Sequence, residues 1–177
     1  MDSIITQIPF IVVLLVLVVK VIVSVKKGAV KELFSLVSTI LASVAVLLIA
    51  FGIRKYFNQE RVIFVITVVL LFLLLIVYKI LDLFFSTMKL VSKLPVVSFI
   101  NKILAIPVAI CEVVVMVWAV YCMVMVLDVG AFEKWIMDCV RNNSIMKFMY
   151  QYNYMYSIIA NFSATLKGID IWGKLGM

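Results

Sequence analysis

The stretch LFSLVSTILASVAVLLIAFGI, Leu33 to Ile53, runs for 21 residues without a charged side chain. A helix of that length is about 30 Å long at 1.5 Å of rise per residue, which matches the hydrocarbon thickness of a bilayer. A strand reading fails on two counts. Strands seldom exceed about ten residues, and lipid offers nothing to hydrogen-bond an open sheet edge. The stretch is therefore read as a membrane-spanning α-helix.

Three further runs repeat the pattern. Ile8 to Val25 is broken only by Lys20. Val62 to Tyr78 is nearly all β-branched residues, Leu and Phe, and continues amphipathically past Lys79 and Asp82 to about residue 86. Ile103 to Leu127 is the fourth. The predicted helices are thus about 5–25, 33–53, 62–86 and 103–127. Composition agrees: 67% of the 177 residues are hydrophobic and 14% charged, with a mean hydropathy of +1.27. A soluble domain has roughly 45–50% apolar residues and about 25% charged ones. The fold class that follows is all-α, an integral membrane four-helix bundle over residues 1–128. Residues 129–177 form a C-terminal tail with more charge and many aromatics. Within it Ala131, Phe132, Trp135, Ile136, Cys139 and Val140 recur at helical spacing, with Glu133, Lys134, Asp138 and Arg141 opposite. That pattern predicts an amphipathic helix at the interface, where Trp and Tyr sit well. The first three residues carry no Lys or Arg, so the first run reads as a retained helix rather than a cleaved leader.

The net charge of +7 does not point to nucleic acid. The basic residues sit at the ends of apolar runs, where they set orientation and meet anionic headgroups. Lys20, Lys26, Lys27, Lys31, Lys79, Lys89, Lys93 and Lys102 gather about the first and third loops, against a smaller set on the other side. The expected topology has those loops in the cytoplasm and both termini outside.

Chemistry is sparse. There is no histidine, and the three cysteines, Cys111, Cys122 and Cys139, form no CxxC. No nucleophile elbow, metalloprotease motif or phosphate-binding glycine loop occurs. No catalytic residue, metal ligand or cofactor site is expected, and the chain is not read as an enzyme. Lys20, Lys79 and Asp82 fall near helix ends and are explained by snorkelling, with a Lys79–Asp82 pair of little weight. Ser35, Ser38, Ala42 and Ala45 form a small-residue stripe expected to pack against another helix. Pro107 is expected to kink the fourth helix.

Glu112 is the one acidic residue deep in a span, roughly 14 Å along the fourth run. Ala105, Ala109, Met116 and Ala119 share its face, so it is expected to point into the bundle. One reading makes it a protonatable group on an ion path. The plainer one makes it a neutral carboxyl that bonds to a neighbouring helix and holds the bundle in register.

Three short motifs carry a resemblance. Lys27-Gly28-Ala29-Val30-Lys31-Glu32-Leu33, between the first two spans, is similar to the basic-Gly-x-x-basic-Glu signature of the colicin V production protein (CvpA) family. Leu94-Pro95 through Asn101-Lys102 resembles that family's approach to its fourth span. Asn143 to Tyr150 looks like a stretch of its C-terminal tail. On the fourth span the chain departs from the family's Gly and basic residue, having Ala105, Ala109, Glu112 and Val113. The resemblance implies a bacterial inner-membrane, multi-pass protein that supports production or export of a peptide toxin, and envelope and biofilm behaviour. It would act as a non-enzymatic assembly factor, with itself or other membrane proteins as partners besides the lipid bilayer. Gly28 with Lys27, Lys31 and Glu32 would form the cytoplasmic contact. The alternative is a small channel or proton-coupled transporter using Glu112.

Overall fold

A computed structural model of the chain describes residues 7–54, 60–87, 98–158 and 161. Four long helices carry the fold: α1 (Ile8–Lys27), α2 (Ala29–Arg54), α3 (Glu60–Thr87) and α4 (Ser98–Leu127). Each is long and apolar enough to cross a membrane. Two short helices follow, α5 (Ala131–Asn142) and α6 (Ser144–Gln151). The second and fourth helices begin four or five residues earlier than the charge-free runs suggest, because Lys31, Glu32, Asn101 and Lys102 are helical too.

Local sequence sets the ends. Pro9 sits at the start of α1, where a missing N–H costs nothing. Gly28 closes α1 with φ 87° and ψ 159°, a backbone region open essentially to glycine alone. Helix α4 continues through Pro107, whose ring leaves one backbone carbonyl without its donor. Asn143 caps α6, its side chain accepting from the Ile145 and Met146 amides.

Helices α2 and α4 form the central pair, with α1 laid against α4 and α3 against α2. Small residues allow the close approach: Ala42 and Ala50 on α2 and Ala105, Ala109 and Ala119 on α4 are all fully buried. Of the stripe predicted on α2, Ser35, Ser38 and Ala42 are buried, while Ala45 has rotated to the outside. An apolar cavity of about 410 Å³ lies among α1, α3 and α4, roofed by Phe132, Trp135 and Ile136 of α5.

The amphipathic helix expected in the tail is α5. Ile136, Cys139 and Val140 face inward onto Phe10, Val13 and Leu17 of α1, and Lys134, Asp138 and Arg141 face out. The tail then goes beyond an interfacial helix. From α6 onward it doubles back beside α4, with the Trp118 indole N–H donating to the Met149 carbonyl at 2.8 Å. Trp118 is about 14 Å below the Leu127 end of α4, nine residues of helical rise. Asn153 fixes this return: its amide donates to the Trp118 carbonyl at 3.3 Å and its oxygen accepts from the Tyr156 amide. The Cys122 thiol beneath it is fully buried. Asn153→Ala is expected to loosen the return by about 1–3 kcal/mol, the usual cost of orphaning a buried polar group. In a chain retaining only Cys122 of its cysteines, a membrane-permeant maleimide should label the variant and spare the parent. Equal labelling of both would show that Asn153 does not hold the segment.

Candidate functional site

The polar residues of the spans converge on one place. Lys20 of α1 turns its side chain into the bundle, leaving 13% of it exposed. Its ammonium donates to Glu112 Oε1 at 2.7 Å, to Ser35 Oγ at 3.2 Å and to the Tyr78 hydroxyl at 3.2 Å. It also lies 3.1 Å from Glu32 Oε1. Lys20, Glu32 with Ser35, Tyr78 and Glu112 belong to α1, α2, α3 and α4 in turn, so the ammonium of one span touches the other three.

Hydroxyls complete the cluster. Glu112 Oε1 accepts further hydrogen bonds from Ser35 Oγ at 3.1 Å and Thr39 Oγ1 at 2.9 Å. Ser24 Oγ donates to Glu32 Oε1, and Ser35 and Tyr78 share a hydroxyl contact of 2.8 Å. Glu32, Ser24, Ser35 and Glu112 are fully buried. The second oxygen of each carboxyl, Glu32 Oε2 and Glu112 Oε2, is buried with no hydrogen-bond partner.

Helix geometry places these groups together. Lys20, Ser24 and Lys27 fall at i, i+4 and i+7 on α1, a single stripe. Glu32, Ser35, Thr39 and Ser43 follow at i, i+3, i+7 and i+11 on α2, and all four are buried. Two sequence expectations change here. Lys20 does not snorkel to a helix end, because a carboxylate within 3 Å is a stronger partner than distant headgroups. Glu32 is not on the surface of the first loop, because it lies one turn into α2 and faces the same ammonium. Glu112 points inward as expected, with Ala105, Ala109 and Ala119 buried on its face. It bonds to three groups rather than one. Asp82 meets Lys27 of α1 at 3.8 Å, in place of the expected partner Lys79, whose ammonium lies over the Tyr78 ring.

A second contact joins residues of the two motifs that flank the first and third loops. Gly28 sits against Asn101 at the start of α4, so close that a Cβ on Gly28 would come within 2.5 Å of Asn101 Nδ2. Asn101 Oδ1 accepts from the Val30 amide at 3.3 Å, which satisfies one of the free N–H groups of the first turn of α2. The two motifs, 73 residues apart when counted from Gly28 to Asn101, thus meet at one end of the bundle. Lys31 and Lys102 are exposed beside them. Leu94 and Pro95 lie outside the described residues.

The sequence profile described as colicin V production protein matches residues 11–152, which includes the four spans apart from the first three residues of α1, the Gly28–Asn101 contact and both short tail helices. The chain belongs to the colicin V production protein family. Membership supports a role in toxin production and agrees with a multi-pass membrane protein. No curated protein and no solved structure matches it.

Among the described residues no group of three or more metal-ligating side chains occurs. Five members of the cluster were not singled out as site residues by sequence: Lys20, Ser24, Ser35, Thr39 and Tyr78. The helical spacing of polar residues within otherwise apolar spans was the signal available for them.

Proposed function

We propose that this chain is a non-enzymatic component of the bacterial inner membrane that supports production or export of a colicin V-like peptide toxin, and with it envelope and biofilm behaviour. It acts by assembling with itself or with other membrane proteins. The observation that carries this reading is the Lys20 ammonium of α1 touching the other three spans. Intramembrane polar groups paired in this way bind helices to one another and specify their register. Helix α1 supports the assembly reading further, since its outer side, with Val12, Leu15 and Val19, is exposed and left for lipid or another span.

Photo-crosslinkers placed on outward residues of α1, such as Val12, Leu15 and Val19, should give discrete protein adducts in native membranes. Deleting the chain should lower toxin in the medium. Lipid adducts alone, with toxin release unchanged, would defeat the proposal. The orientation that accompanies it has both termini outside and the Gly28–Asn101 end of the bundle in the cytoplasm. A C-terminal reporter active only outside the cytoplasm should then be active, and a silent one reverses the map.

A second reading is favoured by one observation, the buried and unpartnered Glu112 Oε2. In it the chain is a small channel or proton-coupled transporter, and Glu112 carries the proton. Reconstituted vesicles separate the two. Proton flux that vanishes in Glu112→Gln supports transport, whereas silent vesicles and a merely less stable variant support assembly.

A further inference from the structure

Charge balance in the cluster is incomplete. One ammonium, that of Lys20, faces two carboxyls, Glu32 at 3.1 Å and Glu112 at 2.7 Å. The other titratable neighbours are Tyr78, whose hydroxyl touches both the ammonium and Ser35, and Lys79, whose ammonium lies over the outer side of the Tyr78 ring, 5.8 Å from its centroid, and is exposed. The pair of Lys27 and Asp82 neutralises itself and contributes no net charge. With both glutamates ionised the site would hold an uncompensated negative charge, surrounded by apolar helices and removed from water. Such a charge is strongly disfavoured in this setting.

The orphaned oxygens show where balance is restored. Both carboxyls use Oε1 for every hydrogen bond they make, and both have Oε2 fully buried without a partner. A carboxylate has about four lone-pair sites over its two oxygens and donates nothing. A protonated carboxyl is neutral, and its proton belongs on the oxygen that the donors have left free. We infer that Glu32 and Glu112 share one bound proton, so that the cluster is a neutral unit of an ammonium, a carboxylate and a carboxylic acid.

A metal cation fits the same vacancy poorly. Hard cations such as calcium and magnesium take six or more oxygen ligands. Here two free oxygens are available, and the ammonium already in contact with both carboxyls repels a second cation. A proton needs one oxygen.

This inference requires neither transport nor a partner, so silent vesicles or missing crosslinks leave it standing. Infrared spectroscopy of the full chain in lipid, at neutral pH, reads the carbonyl stretch of a protonated carboxyl directly. The E32Q/E112Q double variant serves as the reference. Relative to it, the parent protein should show the band of one carboxylic acid, shifted on exchange into heavy water. E32Q alone and E112Q alone should each lose that band, because the remaining glutamate then pairs with Lys20 as an anion. K20M should double it, since both carboxyls then hold protons. Should K20M fail to fold, the two glutamine variants still decide the matter. Absence of the band from the parent overturns the inference, as does its survival undiminished in both single glutamine variants. A band that appears only when sodium is removed would assign the site to a metal cation and overturn it equally.

Discussion

Lys20→Met is expected to produce the largest loss of stability of any single substitution in the spans. Methionine preserves the length and apolar stem of the side chain, so packing changes little. What disappears is the donor for Glu112, Ser35 and Tyr78 together. Removing one partner of a buried ion pair costs about 3–5 kcal/mol, here because the carboxylate must take up a proton and the hydroxyls around it lose their shared donor. For a chain of this size that corresponds to a midpoint lowered on the order of 10 °C. The compensating variant makes the test specific. Lys20→Met with Glu112→Leu replaces the pair by apolar side chains, and such replacements are often neutral or stabilising. The double variant should therefore regain most of the loss, whereas Lys20→Met with Leu104→Ala on the outer face of α4 should not. Thermal unfolding followed by helical signal in detergent measures all of them. A double variant no better than Lys20→Met would mean the ammonium acts through something other than Glu112.

Gly28→Ala should come next in size. Two separate costs meet at this residue. The backbone at φ 87° and ψ 159° is strained by about 1–3 kcal/mol for any residue with a Cβ. The new methyl would also run into the Asn101 side chain at 2.5 Å. Combining Gly28→Ala with Asn101→Gly removes the collision but retains the backbone strain, so the expected rescue is partial. Full rescue would locate the whole cost in the collision, and no rescue would locate it in the backbone. In either arm the loss is expected to appear as separation of α1 from the start of α4. A cysteine pair placed at that end and crosslinked in the membrane would report it.

The architecture was largely legible because lipid imposes a simple demand. A run such as Leu33 to Ile53 has one stable way to satisfy its backbone, and its length fixes how far it reaches. The inward aim of Glu112 was legible for a similar reason, since alanines at helical spacing mark the face that neighbours can approach. The cluster around it was not. Lys20 is seven residues from the end of α1, near enough for its stem to reach headgroups, and single-helix reasoning then prefers snorkelling. Only the rotation of α1 against α4 shows that a carboxylate is nearer. Glu32 was hidden by its neighbours in the chain, because the basic residues around it made the segment read as loop. The stripe Ser35, Ser38, Ala42 and Ala45 follows small side chains, and Thr39, one residue from Ser38, carries a hydroxyl that reaches Glu112. The Gly28–Asn101 contact was unreadable in another way. Each motif was visible alone, but nothing local says that residues so distant in the chain will touch.

The contact between Lys20 and Glu112 spans 92 residues of sequence, which fixes an order of events during synthesis. Helix α1 leaves the ribosome with its lysine and must enter the membrane before its partner has been translated. At roughly 5–20 residues per second, that interval lasts about 5–20 s. A lysine at the centre of a span costs about 2.5–3.5 kcal/mol on the insertion scale, which the surrounding Val, Leu and Ile offset. Until α4 arrives the nascent helix therefore rests in a provisional seat, held by the insertion machinery or sunk shallowly with its amine at the surface. The finished arrangement is available only to a chain whose last span has been delivered.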